Sequence, residues 1–261
     1  MKLQVLPDFE ALSRGAAEMF LKLSEQYIAL TGRFAVAVSG GRTPIRLYEL
    51  LSSELYNQKI KWDKVHFFWA DERFVPHDHA ESNYRILQEN LLSKISLPAE
   101  NIHPVRTDVS SISTSAKIYE KEIRQFFGPA ESKMAVFDLI LLGIGEDGHT
   151  ASLFPESPVL KEKNRLAAPV SDQKHEYPRV TLTLAAINNA RNIVFLISGR
   201  QKAAAVKKII CDKDVTLPAS LVKPAKGNLL FFLDEAAALL LEKKQREEQS
   251  LPVRDHFTSD I

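Results

Sequence analysis

The sequence predicts an α/β protein: an open, mostly parallel, Rossmann-like sheet with helices on both faces, in a single domain with a small β-rich insertion. Three observations lead there. Short apolar runs such as "RFAVAV", "FDLILL" and "RNIVFLIS" alternate along the chain with amphipathic runs of helical period. These short runs are near-continuous in apolar residues, as expected of strands covered on both faces. Several of them end in turns rich in glycine or charge, "SGGRTP", "ADER" and "GIGEDGH" among them. Strands alternating with helices build a parallel sheet through helical crossovers.

Taken in order, Asp8 is a suitable N-cap for the helix "FEALSRGAAEMFLKLSEQYIAL", which ends before Thr31-Gly32. Phe34 to Val38 is a buried strand. A helix follows over "TPIRLYELLSSEL", with Thr43 as N-cap and Pro44 in the first helical position, where its missing N–H is no loss. "KVHFFWADER" is a second strand, stopping at an acidic turn. "SNYRILQENLL" is a helix capped by Ser82, and "SAKIYEKEIRQFF" another helix. After the strand "FDLILLGIG" come a loop over 156–178 and a β-rich segment, "RVTLTLAAI". "RNIVFLIS" with "GRQKAAAVKKII", and then "GNLLFFLDEAAALLL", repeat the strand–turn–helix pattern. Residues 1–241 form the expected domain and 242–261 a charged tail; no linker or internal repeat divides the chain.

At 261 residues, 45% hydrophobic and 26% charged, the chain can bury a core beneath an ordinary polar surface. A formal net charge of +1 leaves no basic field, so no nucleic-acid partner is expected and any anion must be held by a local cluster. The single cysteine, Cys211, excludes an internal disulfide framework and a multi-cysteine zinc site. No segment approaches the roughly 18 apolar residues that span a bilayer. The N-terminal stretch carries acids and no apolar core of signal-peptide length. A cytoplasmic protein without a membrane partner is expected.

In open α/β sheets ligands sit beyond the C-terminal strand ends, where the strand order reverses. That rule singles out the turns at 39–44, 70–83, 143–155 and 198–203. "SGGRTP" sets Gly40 and Gly41 where backbone N–H groups can approach a ligand, just before a helix, with Ser39, Arg42 and Thr43 as added donors. This is either a phosphate nest or a plain βα turn; the Walker spacing is missing. "GIGEDG" formally matches G-x-G-x-x-G. However, Pro155 cuts the next segment short, and Glu146 and Asp147 repel a pyrophosphate, so a dinucleotide site is rejected.

The run Asp147-Gly148-His149 is the stronger signal. Gly148 allows a sharp turn that can project His149 into a pocket while Asp147 orients it. An imidazole of ordinary pKa near 6.5 is suited to taking a proton from water; the alternative is a histidine bonded to its own loop. Asp71, Glu72 and Arg73 stand at another strand end, as site residues or as helix caps. His77 and His79 lack a third ligand at zinc spacing and read as a solvated loop. Arg179 and Lys202, near two further strand ends, could join Arg42 around a phosphate monoester.

In this order, "AVSGGRTP", "WADERFVP…ESNY", "DLILLGIGEDGHTASLFP", "PRVTLT…IN" and "SGRQKAAAV" resemble the motif set of the 6-phosphogluconolactonases, within the glucosamine/galactosamine-6-phosphate isomerase superfamily. The resemblance runs from about Phe34 to Leu233. "GEDGHTASLFP" is its most specific block. It implies hydrolysis of 6-phospho-D-glucono-1,5-lactone to 6-phosphogluconate in the oxidative pentose phosphate pathway, with no metal or organic cofactor. The expected catalytic set is His149, Asp147, Asp71 and Arg73. The expected substrate- and phosphate-binding set is Ser39, Gly40, Gly41, Arg42, Thr43, Asn83, Gly145, Arg179 and Lys202. The partner is the small-molecule lactone, and the expected assembly is a monomer or weak homodimer.

Glucosamine-6-phosphate deaminases are similar in "SGG", in the acidic turn and in "DGH". Their pattern continues Ile-Ala-Phe-Asn-Glu-Pro, where this chain reads Thr150-Ala151-Ser152-Leu153-Phe154-Pro155. The acid of the ring-opening chemistry is therefore absent. A non-catalytic sugar-phosphate sensor is a further alternative, one that calls for an attached helix-turn-helix segment. A δ-lactone is already an activated ester, so a positioned water, a base and oxyanion stabilisation suffice. His149 is the expected base on water, oriented by Asp147, with Arg73 or N–H groups of 143–149 at the oxyanion.

Overall fold

The computed structural model describes residues 1–128, 135–171 and 176–242. The expected tail therefore lies, past Glu242, outside the described residues. The chain opens with β1 (Lys2–Leu6), a strand the sequence reading passes over. Helix α1 (Phe9–Thr31) starts where expected, with the Asp8 carboxylate accepting from the Ala11 N–H at 2.8 Å. It ends on Gly32, whose φ of 79° is the left-handed conformation a helix C-terminus favours in glycine. Strand β2 (Phe34–Val38) has the expected bounds and is buried along its length.

Helices α2 (Ile45–Ser52) and α3 (Glu54–Asn57) come next. Thr43 is not the cap of α2: Pro44 holds that position at φ −78° and ψ −9°, and no side chain caps the end. The Ile45 N–H instead reaches back to the Arg42 carbonyl in a turn, which satisfies the donor a threonine cap would have served. The strand read as "KVHFFWADER" divides into β3 (Val65–Trp69) and β4 (Asp71–Arg73), so the acidic turn is itself a strand. Ala70 sits at the break. Its N–H donates to Val38 in one sheet, and its carbonyl accepts from Leu182 in the other.

Helix α4 (Asn83–Asn90) has the expected Ser82 cap, which accepts from the Arg85 N–H. Strand β5 (Ile102–His103) and helix α5 (Ile112–Phe127) follow, then β6 (Leu139–Leu142). The stretch expected as a loop over 156–178 contains a strand, β7 (Ala167–Val170). The run "RVTLTLAAI" is only half β: β8 (Arg179–Leu182) gives way to α6 (Leu184–Asn188), because the Thr183 hydroxyl caps a helix by accepting from Ala186 N–H. Then come β9 (Asn192–Ile197), α7 (Ala203–Lys207) and β10 (Asn228–Asp234). No helix forms over "EAAALLL", and residues 235–241 are turns. An unbroken apolar run offers no single face to bury; Ala237, Ala238 and Leu241 go inward while Leu239 and Leu240 stay exposed.

The main sheet has the order β1-β10-β9-β6-β2-β3-β5, and every pairing in it is parallel. A smaller antiparallel sheet, β4-β8-β7, is the β-rich insertion. β1 forms one edge beside β10; from β2 on, the chain adds β3 and β5 on one side and then β6, β9 and β10 on the other, so the strand order reverses between β2 and β6. Successive residues of β3 show how both faces are covered. Phe67 packs against Phe20 of α1 at 6.4 Å, whereas Phe68 packs against Phe126 of α5 at 5.1 Å and Phe137 at 5.3 Å. Each of these phenylalanines on β3 is fully buried and contributes about 1.5–3 kcal/mol. Among the described residues no helix is long and apolar enough to cross a membrane.

The β3–β5 edge holds a pair of stacked imidazoles. His66 Nδ1 lies 3.2 Å from His103 Nε2, and His103 Nδ1 lies 2.9 Å from a Glu122 carboxylate oxygen. Burial, followed by the charge of His103, pushes His66 down to about 4. A histidine with a depressed pKa stabilises the fold while neutral in both states, above its unfolded value near 6.5, and loses that contribution as pH falls towards 4. The melting temperature of the wild type is therefore expected to fall through this window, and His66→Phe to flatten the fall, as read by thermal denaturation against pH.

Candidate active site

The reversal of strand order opens a crevice at the C-terminal ends of β2 and β6, and a cavity of about 530 Å³ occupies it. All four turns singled out in the sequence contribute to its wall. Ser39, Gly40, Gly41, Arg42 and Thr43 come from the β2 end, Asp71, Arg73 and Asn83 from β4 and α4. His149 comes from the β6 turn, Arg179 from β8 and Lys202 from the β9 turn. Residues 163 positions apart, counting from Ser39 to Lys202, thus face one space.

His149 is held by its own loop. Its Nδ1 lies 2.6 Å from Asp147 Oδ1, and that same oxygen accepts from the His149 backbone N–H at 3.1 Å. A carboxylate can only accept, so Nδ1 carries the proton and Nε2 keeps its lone pair for the cavity. Gly148 makes the turn possible at φ 78°. Burial lowers the His149 pKa below its usual value, opposed by the charge and hydrogen bond of Asp147. The Asp147 pKa is lowered too: burial acts to raise it, but the charge of His149 and the hydrogen bonds it receives outweigh that.

Gly145 and Asp147 are not on the cavity wall. Gly145, expected among the substrate-binding residues, lies behind the ring, where a Cβ would overlap both His149 Nδ1 and Asp147 Oδ1. It makes room for the pair. Ser39, expected as a phosphate donor, donates its hydroxyl to the Leu141 carbonyl at 2.8 Å, so its proton is committed to joining β2 to β6. Gly40 has a packing reason for lacking a side chain, since a Cβ there would overlap the Asn83 amide. That amide donates to the Asp71 carbonyl at 2.8 Å and accepts from Arg73 at 3.1 Å. Arg73 also donates to the Glu81 carbonyl at 2.7 Å, so its Nη1 is committed to the β4–α4 loop.

Glu72 is absent from the expected site set and carries the loop's geometry. It is fully buried and accepts from the backbone N–H groups of Arg73, Asn83 and Tyr84 and from the Ser82 hydroxyl. Burial pushes its carboxyl up to about 7, against the pull of those N–H donors and helped by the Asp71 charge. Its negative charge at the start of α4 suits the helix dipole. Sequence reading could find it only as a possible helix cap, the alternative reading of "ADER".

Lys202 is placed by the turn that precedes it. Asp234, at the end of β10, accepts from the Ser198 hydroxyl and from the Gly199 N–H at 3.1 Å. Gly199 has φ 98°, and its carbonyl accepts from the Lys202 N–H. Phe154 also went unassigned in the sequence. The His149 ring lies 4.8 Å and the Arg179 guanidinium 5.6 Å from its ring centroid, so imidazole and guanidinium share one aromatic neighbour. His77 is not in a solvated loop: it bonds the Val105 carbonyl at 2.9 Å and stacks on Tyr84 at 4.3 Å. No cluster of three or more metal-ligating side chains occurs among the described residues.

This combination of fold and site defines an α/β class of sugar-phosphate enzymes. The family model of "Glucosamine-6-phosphate isomerases/6-phosphogluconolactonase" matches residues 7–231, and the chain belongs to that family. It is 38% identical to a 6-phosphogluconolactonase of Nostoc sp. over 90% of this chain and 95% of that protein. It is 41% identical to the 6-phosphogluconolactonase of Homo sapiens over 80% and 81% of the two chains. The solved structure of a 6-phosphogluconolactonase from Trypanosoma cruzi superposes with a TM-score of 0.81 at 32% identity, covering 92% of this chain and 96% of the other.

Gly145→Ala tests the geometry directly. The added methyl forces Asp147 and His149 apart, so activity is expected to fall at least tenfold. The melting temperature should change by only a few degrees, since the atoms the methyl meets belong to the side chains of His149 and the exposed Asp147 and not to backbone; steady-state kinetics and calorimetry on the same preparation check both.

Proposed function

We propose that the chain hydrolyses 6-phospho-D-glucono-1,5-lactone to 6-phospho-D-gluconate, with His149 as general base on water, as a step of the oxidative pentose phosphate pathway. The observation that carries this reading is the Asp147–His149 pair, 2.6 Å apart, with the ring on a cavity wall that also holds Arg179 and Lys202. The lactone is uncharged at its reacting carbon and anionic at the far end, which suits a neutral imidazole at one end and cations at the other.

In this mechanism Arg179, Lys202 and the N–H groups of the Gly40–Gly41 turn take the 6-phosphate. His149 Nε2 accepts a proton from water as its oxygen attacks C1. Asp147 keeps the imidazole in the tautomer that presents Nε2 and stabilises the cation once formed. General-base assistance of this kind is worth about 10²–10⁴-fold. Arg73, whose Nη1 is engaged by the Glu81 carbonyl and the Asn83 amide, or N–H groups of the 143–149 turn other than those of Gly145, Gly148 and His149, serve the developing oxyanion. Anchoring the phosphate away from C1 fixes the ring, so remote binding contributes to the chemical step.

Phe154 weighs against the deaminase alternative. It stands where the deaminase pattern has its acid, and it packs an apolar ring against His149.

The test is hydrolysis of freshly generated 6-phosphogluconolactone, coupled to 6-phosphogluconate dehydrogenase and compared with the spontaneous background. Ammonia release from glucosamine 6-phosphate is the counter-assay. His149→Ala is expected to lower kcat by about 10²-fold or more with a modest change in KM. In the wild type, the acid limb of kcat/KM should lie below pH 6.5, following the lowered pKa of the imidazole in the free enzyme. Lys202→Ala and Arg179→Ala are expected to raise KM for the phosphorylated lactone and erase its preference over glucono-1,5-lactone. Near-normal kcat in His149→Ala would remove the base assignment.

A further inference from the structure

We propose that Ser152 is a positioning residue for this reaction, fixing the Asp71 carboxylate so that it does not close on Arg179. The proposal rests on the lactonase reading given above. Ser152 has no exposed surface and does not line the cavity, so it cannot touch a ligand. Its hydroxyl donates to Asp71 Oδ2 at 2.6 Å, within the short range of O–H···O⁻ bonds.

Ser152 is itself anchored independently of Asp71. Its backbone N–H donates to the Thr181 hydroxyl oxygen at 3.2 Å, and that hydroxyl donates to the Leu182 carbonyl at 3.0 Å. Thr181 is the register partner of Asp71 across the β4–β8 pair. The serine is thus tied to one strand of the small sheet and reaches across to a carboxylate on the next.

Asp71 is 6% exposed, lines the cavity, and holds Oδ2 3.9 Å from Arg179 Nη1. Its other oxygen lies 3.4 Å from the Asn83 amide nitrogen. At so short a range, with both side chains largely buried, a carboxylate and a guanidinium attract and favour a bidentate pair. The serine hydroxyl competes for the oxygen that such a pair would use. It keeps the carboxylate at a separation where its charge supports the His149 cation without drawing Arg179 off an incoming phosphate. That charge acts on His149 in the required sense, raising its proton affinity.

The experiment measures kcat and KM of the full chain on 6-phosphogluconolactone and on glucono-1,5-lactone. Ser152→Ala is expected to raise KM for the phosphorylated lactone roughly 10- to 100-fold, the factor for losing a hydrogen bond to a charged group. KM for the unphosphorylated lactone should stay within about twofold. Ser152→Cys, close in volume and a weak donor, should raise KM in the same direction if the alanine variant folds poorly. Ser152→Thr, which keeps the hydroxyl, should restore it. In an Asp71→Asn background, where the pull on Arg179 is gone, Ser152→Ala should add nothing further.

An equal KM rise in both backgrounds, an equal effect on both lactones, or no effect in a folded Ser152 variant would each overturn the proposal. If the wild type itself hydrolyses no lactone above background, the functional reading falls and this inference with it. Wild-type hydrolysis with indifferent Ser152 variants sinks the inference alone.

Discussion

The reversal of strand order between β2 and β6 is the constraint on which the site depends. Strands on either side of that point send their following segments to opposite faces of the sheet, so the crevice between the strand ends cannot be filled by a crossover. It is lined by turn backbone from β2 and β6, and Ser39 spans it at its base by bonding to Leu141. The Ser39–Thr43 turn and the histidine turn are neighbours for this reason, although His149 lies 109 positions after Gly40. Every other contribution is brought to that gap from outside the β2–β6 pair.

The small antiparallel sheet makes the second contribution. Ala70 leaves the main sheet by bonding to Val38 and enters the other by bonding to Leu182. Asp71 and Arg73 therefore project from a strand rather than from a flexible turn, opposite Thr181 and Arg179. Glu72 points the other way and gathers the first N–H groups of α4. Alternation along three residues thus separates two roles: the flanking residues face the cavity, and the middle one fixes the helix that supplies Asn83.

The fold class, the buried strand Phe34–Val38, the Asp8 and Ser82 caps and the convergence of four turns were legible, because each rests on a local signal that tertiary packing reinforces. The misses have equally local causes. β1 is a short edge strand before Pro7, with too few residues to show a period. β7 lies in a polar stretch and exists through its pairing with β8, a partner no local pattern announces. "EAAALLL" has helix-forming residues but no amphipathic stripe, and Asp234 accepts from the Ala237 N–H and draws the chain into turns. The Ser39–Leu141 bond and the space that Gly145 leaves behind the His149 ring were not legible, since the direction of a hydroxyl or the room behind a ring is a three-dimensional property. Glu72, Ser152 and Phe154 act through contacts 10 to 81 residues away or through packing, and no spacing rule reports those.

Phe154 bears on the size of molecule the crevice accepts. An aromatic ring neither compresses nor changes its span, and this one is 4% exposed at the core's edge, 4.8 Å from an imidazole ring and 5.6 Å from a guanidinium. Both polar groups are accordingly backed by a rigid hydrocarbon disc as well as by their own side-chain torsions. If the imidazole and the guanidinium take the two ends of one molecule, as proposed above, a chain with too few carbons between its anionic terminus and its electrophilic centre would reach one of them and leave the other wet.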